Sequence, residues 1–198
     1  MGELEIQQGE QGVNPLRKIV LLVAMSLDGY IADSSGGGAW LNGQGNDDGE
    51  KVDTYSRFVK SIDTVLMGWN TYHQVVTELS PNEWVYRDLI TYVITITYVI
   101  THKAHPSTER IRFTSENPAA LLKKLKRENG KNIWICGGAA VIQPLVGENI
   151  IDEYYISVIP TLLGNGIRLF GNMEKEIKLK LCHTQSCNGI VDLVYVRR

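Results

Sequence analysis

The sequence has few cysteines, no long apolar run and no metal-ligand spacing, and each shortage excludes a class of protein. Its three cysteines, Cys136, Cys182 and Cys187, show no C-x-x-C pattern, which argues against a disulfide framework and a structural zinc site. The four histidines are equally scattered, so no metal is expected. No apolar run approaches the roughly 20 residues of a membrane span, and the N-terminus lacks the blocks of a signal peptide. These absences predict a cytoplasmic protein without a membrane partner.

The charge balance argues against a nucleic-acid partner. The formal net charge is −2 over 198 residues, and no long basic block occurs. Residues 1–15 are polar and without period, which predicts a disordered arm or an added extension. Residues 16–198 have the length and the apolar content of a single domain, and we expect one.

Short apolar runs alternate with segments of helical spacing along the rest of the chain. Buried strands are predicted at 18–25, 63–68, 133–136 and 152–159. Helices are predicted at 53–61, 71–76, 117–129 and 139–146. This alternation favours parallel pairing, while Asn188-Gly189 predicts a hairpin that adds antiparallel strands at one edge. We therefore expect a three-layer α/β/α fold around a mixed, mostly parallel sheet, with ligands bound at the carboxyl ends of the strands.

A tandem repeat of Ile-Thr-Tyr-Val-Ile-Thr occupies residues 90–101. Either copy alone would make a complete strand, and both together exceed the usual strand length. A duplication and a sequence error are both open interpretations. The sequence does not decide which copy enters the sheet.

Two strands are predicted to end in glycine immediately before a helix. Gly137-Gly138 follows the strand at 133–136 and precedes a helix from Ala139, and Gly68 precedes a helix that includes Thr71. Such turns let a ligand approach bare backbone, and they direct the free N–H groups of the helix at it, which suits a phosphate. Each turn alone is also compatible with an ordinary tight turn.

A long glycine-rich loop follows the first strand, over Ser26–Asp33 and Gly36–Trp40. Loops of this length are often functional, as active-site lids are. Trp40 within it is expected to pack either on an apolar ligand or into a pocket under the loop. Cys136 is interpreted as packing rather than as a nucleophile, because no histidine stands at a telling spacing.

Four motifs in order resemble the dihydrofolate reductase-like superfamily, over about residues 17 to 198. Within it, the chain looks closest to stand-alone proteins similar to the reductase domain of the riboflavin-biosynthesis deaminase/reductase. The motifs are Ser26-Leu-Asp-Gly29, Met67-Gly68 with Thr71-Tyr72, Cys136-Gly-Gly-Ala139, and Asp152-Glu153 leading to Pro160–Gly166 with Leu169-Phe170.

The resemblance implies an oxidoreductase that uses NADPH to reduce a C=N or C=O group of a small heterocycle. A pyrimidine or pteridine is implied, as in 5-amino-6-(5-phosphoribosylamino)uracil reductase, and a homodimer is expected by analogy. The implied cofactor-binding residues are Ala24, Ser26, Gly68, Thr71, Thr101, Lys103, Gly137, Gly138 and Ala139. Trp40 and Cys136 are the implied substrate contacts, and Asp28 and Asp53 the implied catalytic carboxylates. Each carboxylate also has an ordinary explanation, Asp28 in a turn and Asp53 at a helix start.

Two positions depart from the family pattern. Trp69 stands where the superfamily often has arginine, which removes a positive contact to the cofactor phosphates unless Lys103 or Arg110 replaces it. Cys136 stands where the riboflavin enzymes have glutamate. A non-catalytic nucleotide-binding or assembly module on the same fold is therefore the alternative, and a flavin- or nucleotide-binding protein is a third.

Overall fold

A computed structural model describes residues 16–44, 54–86, 96–100 and 106–198. Its strands are β1 (Ile19–Ser26), β2 (Tyr30–Ala32), β3 (Ile62–Gly68), β4 (Ile96–Ile100), β5 (Ile111–Thr114), β6 (Asn132–Gly137), β7 (Glu153–Ile159), β8 (Ile167–Arg168), β9 (Leu179–Cys187) and β10 (Ile190–Arg197). Its helices are α1 (Thr54–Lys60), α2 (Trp69–Gln74), α3 (Pro118–Leu125) and α4 (Ala139–Gly147). A π-helical turn over Val75–Leu79 continues α2. The predicted arm over 1–15 lies outside the described residues.

The central sheet has eight strands in the order β5-β4-β3-β6-β1-β7-β10-β9. Every pair from β5 to β7 is parallel, and β10 and β9 are antiparallel, so the predicted mixed sheet is confirmed. The turn between β9 and β10 has positive φ at Asn188 (53°) and Gly189 (74°). Positive φ at both central residues is the geometry that an Asn-Gly hairpin turn requires, as predicted.

Helices cover both faces of the sheet, which confirms the three layers. On one face α3 and α4 bury a cluster that includes Leu122, Leu145 and the β1 residue Leu21. On the other face α1 and a group of aromatic side chains bury a second cluster, which includes Phe58, Trp134 and Val20. Successive residues of a strand point to opposite faces, so β1 contributes Leu21 to the first cluster and Val20 to the second.

The second copy of the tandem repeat forms β4. Its residues Ile96–Ile100 pair in parallel with Thr64–Gly68 of β3. The first copy, residues 90–95, lies outside the described residues. The register question is therefore answered in favour of the copy nearer the C-terminus.

Helix α3 is shorter than predicted. Its start is as expected, because the Asn117 side chain accepts a hydrogen bond from the Ala120 N–H and Pro118 follows it. The predicted end at Asn129 was wrong. The helix ends at Leu125, and i→i+3 hydrogen bonds such as that from the Glu128 N–H to the Leu125 carbonyl tighten the chain after it. The C-cap is Lys126, and not Gly130 as a helix running to Asn129 would predict.

Three short strands were not predicted: β2, β5 and β8. Strands β2 and β8 form a separate two-stranded sheet through Tyr30 and Arg168. Strand β9, over Leu179–Cys187, is the first strand of the hairpin predicted around Asn188-Gly189. Strands β2 and β8 are two or three residues long and lie far apart along the chain, so local alternation gives little signal for them.

The hydroxyl of Tyr154 is a buried polar group with no hydrogen-bond partner among the described residues. Tyr154 is 1% exposed in the first core cluster, and burial raises the pKa of its phenol. We expect Tyr154→Phe to leave the free energy of unfolding unchanged or to raise it by about 1 kcal/mol, because an unpaired buried hydroxyl costs its desolvation. Urea denaturation measures this, and a loss of stability above about 1 kcal/mol would mean that the hydroxyl is bonded.

Candidate functional site at the carboxyl edge of the sheet

The two predicted glycine turns lie side by side. They end the neighbouring strands β3 and β6, in which Met67 is opposite Gly137. A Cβ built on Gly68 would lie 3.7 Å from the Gly138 nitrogen, and one built on Gly138 would lie 3.3 Å from the Thr71 hydroxyl oxygen. We call Gly68, Thr71, Gly137, Gly138 and Ala139 the glycine seat. Side chains larger than hydrogen would fill the space between its turns.

Helices α2 and α4 both begin at the glycine seat. Their N-caps are Gly68 and Gly138, and no side chain caps either helix. The first N–H groups of a helix have no intrahelical acceptor, so an uncapped start offers them to a ligand. The seat thus combines bare backbone, two helix starts and the Thr71 hydroxyl, and it has the chemistry of an anion site.

Strand β1 lies beside β6 and contributes Ala24 and Ser26. Ala24 is partly exposed near the carboxyl end of the strand. Ser26 is fully buried, and its hydroxyl accepts a bond from the Tyr30 N–H (2.9 Å) and donates one to Asp28 (2.5 Å). The Ser26 side chain is therefore used within its own turn, and its predicted role toward a cofactor stays a prediction.

Asp28 ties the turn after β1 to a distant loop. Besides the Ser26 hydroxyl, its carboxylate accepts hydrogen bonds from the N–H groups of Leu163 (3.1 Å) and Gly164 (2.7 Å). These bonds, that of Ser26 foremost, lower the pKa of Asp28 to about 2. An ionised carboxylate held in this way suits positioning of the loops better than donation of a proton. Its predicted catalytic role is not tested by this geometry alone.

The lowered pKa of Asp28 makes its contribution to stability dependent on pH. A carboxyl whose folded pKa lies below its ordinary value of 3.8 contributes fully above that value and loses its contribution as pH falls toward about 2. We expect Asp28→Asn to lower the melting temperature at pH 7, and the gap to wild type to shrink between about pH 4 and pH 2. Melting curves across that range measure the gap, and a constant gap contradicts the assignment.

The glycine-rich loop spans the carboxyl edge from one side to the other. The Gln74 side chain in α2 contacts the carbonyl of Gly36 (3.5 Å), and the Gln44 N–H donates to Asn188 in the β9–β10 turn (3.0 Å). The indole N–H of Trp40 donates to Gly37 within the loop (3.2 Å), and the ring is partly buried. This course fits a lid, while the predicted substrate contact of Trp40 stays a prediction.

Cys136 and several aromatic side chains lie beside the glycine seat, on the face of the sheet that α1 covers, which we call the α1 face. The hydroxyl of Tyr86 lies 3.4 Å from the Cys136 sulfur, and the rings of Tyr86 and Trp134 meet edge to face at 5.3 Å. Burial raises the pKa of the Cys136 thiol to about 11, so the thiol is neutral at pH 7. A neutral, buried thiol fits the interpretation of Cys136 as a packing residue, and its predicted substrate contact stays a prediction. Tyr86 was not predicted to lie at the site, because nothing in the local sequence distinguishes it from a packing residue.

Trp69 packs into the same aromatic group. Its ring centroid lies 5.7 Å from that of Tyr72 and 6.3 Å from that of Phe113. The side chain at the first position of α2 thus adds apolar area on the α1 face and brings no positive charge to the glycine seat. Of the other predicted site residues, Asp53, Thr101 and Lys103 lie outside the described residues.

A row of neighbouring residues on the α1 face, three of them polar, was not predicted from the sequence. Ser157 of β7 lies opposite Ala24 of β1 on one side and Asp192 of β10 on the other, and Asp192 lies opposite Gln185 of β9. The four residues belong to four neighbouring strands, so the register of the sheet assembles them. Counting back from the Asn188-Gly189 turn could have paired Gln185 with Asp192, but not with Ser157.

The described residues contain neither a cluster of metal-ligating side chains nor a helix able to span a membrane. Within 16–44, 54–86, 96–100 and 106–198, no three His, Cys, Asp or Glu side chains come together as metal ligands. In the same ranges no helix has the length and apolar character that crossing a bilayer demands.

Comparison with known proteins identifies the family. The family model of the RibD C-terminal domain matches residues 17–192. The uncharacterized protein YwjB of Bacillus subtilis is 39% identical over 186 residues, with 91% of this chain and 98% of YwjB covered. The riboflavin biosynthesis protein RibD of Haemophilus influenzae is 27% identical over 195 residues, which cover 81% of this chain and 52% of RibD. The chain thus spans about half of that longer protein.

The solved structures agree with the sequence relatives. A putative riboflavin biosynthesis protein from Shewanella sp. PV-4 superposes with a TM-score of 0.70 at 25% identity, over 91% of this chain and 99% of that one. The deaminase/reductase of Thermotoga maritima gives a TM-score of 0.64 at 14% identity, which supports the fold alone. With a family model matched over most of its length and the expected α/β fold, the chain belongs to the RibD C-terminal domain family.

Proposed function

We propose that this protein is an NADPH-dependent reductase of a small heterocycle of the pyrimidine or pteridine type, related to riboflavin biosynthesis. The observation that supports the proposal most is the adjacency of the two glycine turns at the ends of β3 and β6. A dinucleotide needs a seat for its pyrophosphate that excludes side chains and supplies N–H donors, and the glycine seat has both properties.

Different described residues would bind the cofactor and exclude water from it. Thr71 and the N–H groups at the starts of α2 and α4 would hold the pyrophosphate, and Ala24 would lie under the nicotinamide. The loop over 33–44 would exclude water by spanning the edge, as lids do. When bound, NADPH would supply the hydride. Asp28 would hold the turn after β1 against the loop at 163–164 and so keep both in place.

The choice between NADPH and NADH depends on positive charge near the adenosine ribose. Trp69 supplies none where related proteins often have arginine, so any preference for the 2′-phosphate depends on residues such as Lys103. We expect Lys103→Ala to weaken NADPH binding and to leave NADH binding unchanged, because an ion pair to the extra phosphate would be lost. Parallel titrations of both cofactors measure the ratio of their dissociation constants, and equal weakening contradicts this role. Glu128→Gln, an exposed change, is the control.

Two observations favour a second candidate, a non-catalytic nucleotide-binding or assembly module. Cys136 is neutral where related enzymes have a carboxylate, and Asp28 is ionised above about pH 2 and so does not suit a proton donor. We further propose that residues 16–198 act as a single domain, and that the protein is a cytoplasmic homodimer.

Cofactor binding and turnover separate the two candidates. Trp69 begins α2 at the glycine seat, so NADPH bound there should quench tryptophan fluorescence at micromolar concentration. A reductase would then oxidise NADPH in the presence of a pyrimidine or pterin, with loss of absorbance at the reduced nicotinamide band. Quenching without turnover on any such compound favours the nucleotide-binding module, and absence of quenching by NADPH and NADH contradicts the reductase and leaves the assembly module.

A further inference from the structure

The carboxylate of Asp192 lies in a polar row that the proposed reductase mechanism does not use. The Ser157 hydroxyl donates to one of its oxygens (2.5 Å), and the Gln185 amide donates to the other (2.9 Å). These contacts occupy one acceptor position on each oxygen. An ionised carboxylate has about four such positions, so it can accept further hydrogen bonds. We call Ala24, Ser157, Asp192 and Gln185 the Asp192 row.

The Asp192 row lies on the α1 face, next to the place proposed for the nicotinamide. Side chains two apart on a strand share a face. Tyr155 packs in the second core cluster on the α1 face, so Ser157 faces the same way. Leu22 also packs there, so Ala24 does too. Neighbouring strands are about 4.8 Å apart, which places Asp192 roughly 10 Å from Ala24 across the sheet.

The Asp192 row is a partly exposed surface that lies between the aromatic side chains next to α1 and the loop over 33–44. Its four residues are partly exposed. Two residues before Ser157 in β7, by contrast, Tyr155 packs against Phe58 of α1, with 5.4 Å between the ring centroids. The loop over 33–44 reaches the hairpin turn just before β10. There the Gln44 N–H bonds to Asn188, and a Cβ on Gly189 would lie 2.6 Å from the Gln44 side chain. A flat ligand bound on the Asp192 row would thus be covered by the loop over 33–44 and would contact the aromatic rings beside α1.

We propose that Asp192 determines which edge of the substrate heterocycle is accepted, by binding an amino group and an adjacent ring N–H. This inference rests on the proposed function and extends it to a substrate class, the 2-amino heterocycles. A carboxylate accepts two parallel N–H donors well and repels a carbonyl oxygen. The distance to Ala24 is within the span of a bicyclic ring whose far end meets the nicotinamide. Ser157 and Gln185 fix the orientation of the carboxylate and are positioning residues.

Pterin and lumazine test the inference, because they share a ring system and differ where Asp192 would bind. Pterin has an amino group at position 2, and lumazine has a carbonyl oxygen there. Both are fluorescent, so anisotropy titrations against the whole protein measure each affinity. We expect the wild type to bind pterin at least about tenfold more tightly than lumazine, since a hydrogen bond to a charged group is worth about one factor of ten or more.

The variant Asp192→Asn should lose that preference, because an amide can donate to the lumazine oxygen as well as accept. We expect pterin binding to weaken by about tenfold and lumazine binding to stay the same or to tighten. The exposed Glu174→Gln makes the same chemical change away from the site and should leave both affinities unchanged. Ser157→Ala, which keeps the carboxylate, should reduce the preference in part and guards against misfolding of Asp192→Asn.

Failure of this inference can be told apart from failure of the reductase proposal. NADPH quenching is measured on the same variants and does not involve Asp192, so it should be unchanged in Asp192→Asn. Quenching with an unchanged preference for pterin in Asp192→Asn, or with no pterin binding to the wild type, overturns the inference alone. A preference for pterin that depends on Asp192, without any NADPH binding, supports the inference and contradicts the assignment of NADPH as the cofactor.

Discussion

Substitution of Gly138 by alanine should weaken cofactor binding by about two orders of magnitude or more while the fold persists. The added methyl would lie 3.3 Å from the Thr71 hydroxyl oxygen, in the space between the two turns that a pyrophosphate would enter. Gly138 has φ of −84°, so alanine can adopt its backbone conformation. Loss of about two hydrogen bonds to a charged phosphate would weaken NADPH binding by about 100-fold or more. Titration by tryptophan fluorescence measures this loss.

Gly147→Ala is the matched control for that experiment. Gly147 is the last residue of α4, the helix that Gly138 caps, and a Cβ on it would have no neighbour within 4 Å. Alanine there should leave NADPH affinity unchanged and keep or slightly raise stability, because alanine is the better helix former. Unchanged NADPH affinity in a folded Gly138→Ala protein would mean that the pyrophosphate does not enter the seat.

Removal of the Asp63 carboxylate should cause the largest loss of stability among single substitutions considered. Asp63 pairs with Arg17 at the amino end of the sheet, where the two side chains are 11% and 4% exposed. Asp63 also accepts a hydrogen bond from the Lys131 N–H (2.7 Å), and Arg17 donates to the carbonyl of Lys131 (2.5 Å). Asp63→Ala would leave the guanidinium buried and unpaired, which costs about 3–5 kcal/mol. Urea denaturation with a two-state fit measures it.

An exposed ion pair provides the comparison. Lys123 and Glu148 lie 3.1 Å apart with side chains 59% and 44% exposed. Solvent screens such a pair, so Glu148→Ala should change the free energy of unfolding by less than about 1 kcal/mol. Equal losses in Asp63→Ala and Glu148→Ala would contradict the importance assigned to the buried pair. The site lies at the opposite edge of the sheet, so NADPH binding by folded Asp63→Ala should be unchanged.

The sequence predicts the central strands well because of how a parallel sheet is buried. Strands covered on both faces are continuous apolar runs, and such runs make up most of β1, the second half of β3 and the middle of β6. The glycine turns were also predictable, since a strand that ends in glycine before a helix is a local pattern. Their adjacency follows from the pairing of β3 with β6, which local patterns do not contain.

Other features depend on contacts between distant segments and could not be predicted from local patterns. The Asp28 carboxylate meets the N–H groups of Leu163 and Gly164, although an Asp-Gly pair indicates an ordinary turn. The Asp192 row requires the register of four strands at once. The early end of α3 coincides with i→i+3 hydrogen bonds such as that from the Glu128 N–H to the Leu125 carbonyl, which helix propensity does not predict.

A crystal structure of the protein with NADPH bound tests the central claim most directly. The pyrophosphate should lie between the turns at Gly68 and Gly138, with its oxygens within hydrogen-bond distance of the Thr71 hydroxyl and the N–H groups at the start of α4. The nicotinamide should lie over Ala24. A cofactor bound elsewhere, or a seat closed by the protein's own side chains in the presence of saturating NADPH, would contradict it.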